Sequence, residues 1–301
     1  MRKTLLATTV AAATGLMALS PAGLAGNAAK KKTAVVGYGL AGANGLVKFD
    51  VRQPSRARLI ARVRGLAPGE RLVGIDFRPR TGELVGLGSA ANLYAIDTKT
   101  GAAARKSSLT APSGPVGLDG TRFGVDFNPT VDRLRVVSNR EQNLRINVDT
   151  GATTIDKPLN YLASDRGAGS DPSAVGAAYT NNDNDEVVMA PATSTPGKTG
   201  TQLYDIDSAL DSLVLQAPPN DGVLKTIGAL RVSASPLVGF DIFSTVRDGR
   251  AVKDTAFASL RTRGRTRLYT LNLKTGKATR SGGLGSRALR RVSDIAIRPQ
   301  G

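Results

Sequence analysis

The sequence predicts an all-β chain folded as a five-bladed β-propeller of four-stranded repeats. Three observations carry that expectation. One strand-and-turn motif recurs roughly every fifty residues, a second strand motif recurs in phase with it, and the two ends of the chain hold half-units that complete each other.

The first motif reads Gly45-Leu46-Val47-Lys48-Phe49-Asp50, then Asn92-Leu93-Tyr94-Ala95-Ile96-Asp97, Asn143-Leu144-Arg145-Ile146-Asn147, Gln202-Leu203-Tyr204-Asp205-Ile206-Asp207 and Arg267-Leu268-Tyr269-Thr270-Leu271-Asn272. Its leucines lie 47, 51, 59 and 65 residues apart. Alternating apolar and polar residues that run into Asp or Asn make a half-buried strand entering a turn. Three copies go on to Thr-Gly, at Thr100-Gly101, Thr150-Gly151 and Thr275-Gly276.

The second motif opens each unit: Gly74-Ile75-Asp76-Phe77-Arg78-Pro79, Gly124-Val125-Asp126-Phe127-Asn128-Pro129, Gly176-Ala177-Ala178-Tyr179, Gly239-Phe240-Asp241-Ile242 and Asp294-Ile295-Ala296-Ile297-Arg298-Pro299. Between two openings lie three further strand-like runs, such as Glu83 to Gly88, Asn92 to Asp97 and Ala102 to Leu109. Near its start the chain holds Thr33 to Val36, Gly45 to Asp50 and Leu59 to Val63 without an opening strand. The C-terminus holds only that strand, Val292 to Pro299, so joining the two completes a fifth blade. An open sandwich of the same strands gives no reason for complementary half-units. The longest insertion is the Asn/Gly/Pro/Thr-rich stretch from Asn181 to Thr201.

Residues 1–29 read as a cleaved signal peptide: Arg2 and Lys3 precede an uncharged run from Leu5 to Leu19, and small residues follow through Ala28. The run is weakly apolar and broken by Gly15 and Pro21, which argues against a retained anchor, and no later stretch is apolar enough to span a bilayer. The expected organisation is a secreted protein with one propeller domain over 30–301.

Composition excludes much chemistry. The chain has no Cys, His or Trp. It therefore offers no thiolate, no imidazole relay or zinc ligand and no disulfide, and at 301 residues it is long enough to fold without staples. Carboxylate, hydroxyl, Lys, Tyr and Arg chemistry remain.

The segment GVDFNPTVDRLRVVSNREQNLRINVDTG, from Gly124 to Gly151, resembles the hallmark of a bacterial secreted family known as domain of unknown function 4394. LVGIDFRPRTGELVGLG, GAAYTNN, LYDIDSALDSLVLQAPPNDGVLKTIGAL and LYTLNLKTG are similar echoes, and the resemblance runs from about Thr33 to Arg298. It implies a propeller-like fold and brings no activity with it.

Gly37-Tyr38-Gly39-Leu40-Ala41-Gly42 matches a dinucleotide fingerprint. It lacks the helix that should open at the last Gly, so it reads as a glycine-rich propeller turn. Asp76, Asp126 and Asp241 hold one place in three opening strands. They are the catalytic candidates if the axis carries Ca2+ or acid-base chemistry, and otherwise hydrogen-bond acceptors tying blades together. Asn181-Asn182-Asp183-Asn184-Asp185-Glu186 lacks the mid-loop Gly of an EF-hand and reads as a solvated turn. No Ser-x-x-Lys or Gly-x-Ser-x-Gly motif nominates a nucleophile.

Charge points to anionic partners. The chain carries 41 Lys+Arg against 24 Asp+Glu, and the excess sits at the two ends that the ring brings together. Arg56, Arg58, Arg62, Arg64, Arg261, Arg263, Arg265, Arg290 and Arg291 make the expected basic sector. Within unit three, Arg135 takes the place of Val85 and Arg145 that of Tyr94, a place also read as Tyr204 and Tyr269. Two arginines are thus set against each other across a hairpin. Either an Arg–Asp network fixes blade three to blade two, with Asp126 and Asp132 the nearest acids, or Asn128, Arg133, Arg135, Asn143 and Arg145 form an anion site.

The functional expectation is a non-enzymatic binding or surface-interaction module for an anionic small molecule or cell-envelope polymer. It is expected to be monomeric, with no dedicated nucleic-acid recognition and no required cofactor. The alternative is a lactonase, phosphatase or glycosidase-like hydrolase using Ca2+ or carboxylates at the propeller axis.

Overall fold

Each repeat folds into one antiparallel sheet, and five such sheets stand around a common axis as a five-bladed β-propeller. The structure is a computed structural model that describes residues 34–42, 44–183, 200–285, 289 and 291–300. The leader, Arg290 and most of the long insertion lie outside the described residues.

Blade 1 takes β1 (Val36–Ala41), β2 (Gly45–Asp50) and β3 (Arg58–Arg62) from the start of the chain. Blade 2 is β4 (Leu72–Phe77), β5 (Leu84–Gly88), β6 (Asn92–Ile96) and β7 (Ala103–Ser108). A small ribbon, β8 (Thr110–Ala111) and β9 (Gly114–Pro115), precedes blade 3: β10 (Phe123–Asn128), β11 (Arg133–Ser138), β12 (Asn143–Ile146) and β13 (Thr153–Ile155). After β14 (Asn160–Tyr161) comes blade 4, β15 (Ala174–Tyr179), β16 (Leu203–Asp207), β17 (Ser212–Gln216) and β18 (Val223–Ala229). Blade 5 is β19 (Val238–Arg247), β20 (Arg250–Thr262), β21 (Arg265–Leu271) and β22 (Ala278–Gly283). Finally β23 (Val292–Ile297) pairs with β1 and becomes the innermost strand of blade 1.

The predicted closure is therefore present, with one shift: the partner of β23 is Val36–Ala41 rather than Thr33 to Val36. The glycine-rich stretch from Gly37 is that strand and not a turn; the turn begins at Gly42. Gly37 is small for a packing reason, since a Cβ there would lie 2.3 Å from Cζ of Phe49. Blade 4 departs from the repeat. Leu203–Asp207 is its second strand, whereas the matching motif is the third strand in the other four blades, so Tyr204 is not the equivalent of Tyr94. Blade 4 also gains a fifth strand, β14, which lies parallel to β18 at the outer edge.

The core lies between blades. Five apolar clusters fill the five interfaces, for example Tyr38, Leu46 and Ala296 of blade 1 against Ile75, Phe77 and Tyr94 of blade 2. Inner strands such as β10 and β15 are covered on both sides, while outer strands such as β7 and β22 are half-buried to exposed. The Thr-Gly turns dock neighbouring blades. Gly151 has φ +77, and a Cβ on it would lie 1.9 Å from the carbonyl oxygen of Ser108 in blade 2, so only glycine fits that approach.

Candidate functional site

Along the axis the opening strands form a ring of carboxylates. Asp76 of β4 accepts the backbone N–H of Phe127 in blade 3 at 2.8 Å, Asp126 that of Tyr179 in blade 4 at 2.8 Å, and Asp241 that of Ile297 in blade 1. A fourth acid closes the blade 1–2 junction: Asp294 accepts from Ile75 at 2.7 Å. It sits two residues earlier on its strand than the other three, at the place of Gly74, which hid it from the repeat comparison. Blade 4 has Ala178 there instead. Its junction with blade 5 is tied by Asn182, whose backbone N–H donates to Ser244 Oγ at 2.9 Å and whose Nδ2 donates to Ile242 O at 2.7 Å.

These carboxylates are shut away from solvent, with Asp126 and Asp241 each 2% exposed. One oxygen from each of Asp76, Asp126 and Asp241 lies within 4.8 Å of the others. Burial raises all four pKa values, that of Asp241 to about 7; Asp241 adds like-charge repulsion at Asp76 and Asp294, and Asp76 does so at Asp126. Tight packing keeps this level sealed: a Cβ on Gly124 would lie 2.5 Å from the backbone nitrogen of Ala177 in blade 4.

At one mouth of the axis the same strands begin around a cavity of about 460 Å3 to which all five blades contribute. Three arginines are among its lining residues: Arg291 of blade 1, Arg71 of blade 2 and Arg122 of blade 3, each just ahead of an opening strand and each exposed. Arg122 donates to the carbonyl of Thr121 at 2.6 Å. Among the described residues, neither Arg71 nor Arg291 joins an ion pair, and no carboxylate lines the cavity. Blades 4 and 5 contribute Val175, Leu237 and Val238. The sequence signal for this arc is an arginine two or three residues before Gly74, Gly124 and Asp294, which only the repeat register makes visible.

The arginines singled out in unit three lie elsewhere. Arg135 and Arg145 are direct cross-strand partners between β11 and β12. Arg135, 1% exposed, donates to Asp156 at 2.6 Å, to Asn143 at 2.7 Å, to Asn220 at 2.9 Å and to the Tyr179 hydroxyl at 3.2 Å. Arg145 donates to both oxygens of Asp156, at 2.7 and 3.0 Å. The network thus fixes blade 3 to blade 4 rather than to blade 2, and its acid is Asp156 rather than Asp126 or Asp132. Asp132 serves a different bridge: with Asp149 it holds Arg78 of blade 2, at 2.5 and 2.8 Å.

Asn143 is buried in the Arg135 network, with its Nδ2 on the carbonyls of Lys157 and Pro219. Asn128 caps its own turn by accepting the Thr130 N–H at 2.9 Å. Arg133 and Arg145 come together on a separate lateral groove of about 550 Å3, with Asn147 and Thr154. Beside Arg135, Asp205 is fully buried. Neither of its oxygens has a hydrogen-bond partner among the described residues, and desolvation pushes its pKa up to about 8 despite the Arg135 charge.

Blades 1 and 5 are neighbours, joined for instance by Gly285 N–H on Pro54 O at 3.0 Å. Arg56, Arg58, Arg62 and Arg64 are exposed on blade 1, as are Arg263 and Arg265 on blade 5, whereas Arg261 is half-buried. Asn181, Asn182 and Asp183, the described part of the oxygen-rich run, dock onto blade 5; Asn184, Asp185 and Glu186 lie outside the described residues.

A family model described as domain of unknown function (DUF4394) matches residues 45–296. No curated protein matches the sequence. Among solved structures, a structural genomics protein of unknown function from Bacteroides thetaiotaomicron is 16% identical with a TM-score of 0.46, over 90% of this chain and 66% of that one. The nidogen/laminin complex matches at 10% identity and TM-score 0.43, over 88% and 98%. The computationally designed Ika8 protein matches at 9% and 0.36, over 87% of this chain and 62% of its own length. The chain therefore spans less than two thirds of the designed protein's length.

Proposed function

Because the chain belongs to the family described as domain of unknown function 4394, a name that supplies no activity, we propose its function from its own residues: an exported propeller that binds an anionic ligand at the axial mouth. The observation that carries this reading is the arc of Arg291, Arg71 and Arg122 on three consecutive blades, lining one cavity to which no carboxylate among the described residues contributes. Guanidinium groups stay charged at any physiological pH, so three of them around one space repel until an anion arrives. Export rests on the N-terminal leader sequence, and it makes wall or envelope anions and small secreted anions the accessible partners.

A hydrolase using the axial carboxylates or Ca2+ is the alternative, and it needs a carboxylate that a substrate can reach. Asp76, Asp126 and Asp241 are buried, and each accepts a backbone N–H from the next blade, which favours binding over catalysis. The test is a calorimetric titration with pyrophosphate at low and moderate salt, on the wild type and on the Arg71→Ser/Arg122→Ser/Arg291→Ser variant. Salt-sensitive binding that weakens at least tenfold in the variant is expected; equal affinity in both proteins contradicts the proposal.

A further inference from the structure

We propose that the ligand of the axial mouth is an amphipathic organic anion, with one acidic group on an apolar body, rather than an inorganic or fully ionic one. This inference rests on the anion-binding reading and deepens it. The cavity is divided. Its cationic arc spans blades 1, 2 and 3, and the facing arc from blades 4 and 5 brings Val175, Leu237 and Val238 with no charged side chain. Leu72 and Phe123 add to the apolar lining.

Size sharpens the point. At about 460 Å3 the cavity falls in the range of small-molecule sites, roughly 300–1,000 Å3, while a water occupies about 30 Å3 in the liquid. A phosphate or sulfate satisfies the arginines and leaves the Val/Leu side wet. A neutral apolar molecule covers that side and strips water from guanidinium groups that gain no partner. A carboxylate, sulfonate or phosphate monoester on an aromatic or aliphatic body does both: its oxygens take forked hydrogen bonds from arginine, and its carbon body removes apolar surface from water. Cationic ligands are disfavoured by three positive charges with no acid among the described lining residues.

The probes are 8-anilinonaphthalene-1-sulfonate, pyrophosphate and neutral 1-naphthalenemethanol, each titrated into the protein with its whole propeller, residues 30–301. The variants are Leu237→Asn and the triple arginine-to-serine protein. Leu237 is half-buried and belongs to none of the five core clusters, so its replacement leaves the fold in place; melting curves check this. The expected result is one sulfonate per chain, bound at least tenfold more tightly than pyrophosphate or the neutral alcohol and displaced by excess pyrophosphate. Leu237→Asn should weaken the sulfonate at least fivefold while leaving pyrophosphate unchanged, and the triple variant should lose both anions. If pyrophosphate binds as tightly as the sulfonate, or Leu237→Asn changes neither, the amphipathic specificity is wrong and the anion site stands. If both anions bind the triple variant as they bind wild type, the anion site itself fails and this inference with it.

Discussion

Arg135 and Arg145 face each other directly across the β11–β12 hairpin, and one carboxylate, Asp156, is ion-paired with both. Two like charges in that position would otherwise repel, and the side chain of Arg135 is 1% exposed with no solvent to screen it. Asp156→Ala should therefore destabilise the protein by about 3–5 kcal/mol, the range for removing one partner of a buried ion pair. A denaturant titration checks this. A midpoint unchanged from wild type would mean that the pair needs no counter-charge.

Asp126 separates two roles of the axial ring, since it accepts the Tyr179 N–H and is also one of several acids whose ionisation burial and mutual repulsion oppose. Asp126→Ala should lose about 1–3 kcal/mol by leaving that N–H unpaired. Asp126→Asn keeps an acceptor oxygen and removes a carboxyl whose ionised form burial penalises, so it should match or exceed wild-type stability. Equal losses in both variants would show that the carboxylate charge itself is required.

Stability should fall as pH rises toward 8. Asp205 titrates near its ordinary value of about 4 when unfolded and at about 8 when folded, so the folded chain binds more protons between those limits. Its contribution is complete below the unfolded pKa and is lost as pH climbs through the folded one. Asp241, raised to about 7, acts in the same direction. Melting temperatures from pH 5 to pH 8 should decline in wild type and decline less in Asp205→Asn. Parallel slopes for the two proteins would assign the pH dependence elsewhere.

Ring closure depends on the last strand, because β23 carries Asp294 and the Ile297 N–H that Asp241 accepts. Ile295, 1% exposed in the blade 5–1 cluster, tests this without truncation. Ile295→Ala should destabilise the protein by about 2–5 kcal/mol, as for a large core residue. A terminal strand that merely frays would show almost no loss in chemical denaturation.

The blade count, the closure by the C-terminal strand and the inter-blade role open to the Asp residues were legible in the sequence because each is written in local alternation and repeated at fixed spacing. What escaped is non-local. Asp156 follows the outer end of its hairpin and reaches Arg135 only through the pairing of β11, β12 and β13. Asp294 was displaced by two residues from its repeat position, and the strand character of Gly37–Ala41 was masked by two glycines, Gly37 packed against Phe49 and Gly39 against Val292 and the Asp294 backbone. The arginines of the axial mouth are far apart in the chain, at 71, 122 and 291, and only the ring gathers them. Leu203–Asp207 kept the motif of a third strand while taking the second place in its blade.

The position of the bound anion tests the account most directly. Crystals soaked in tungstate, or in an iodinated aromatic carboxylate, report it through anomalous difference density. The predicted result is a peak at the axial mouth, within hydrogen-bonding reach of Arg71, Arg122 and Arg291, for both compounds, with the iodine lying toward Leu237 and Val238. Density confined to the lateral groove of Arg133 and Arg145 or to the rim around Arg263 and Arg265, with none on the axis, would contradict it.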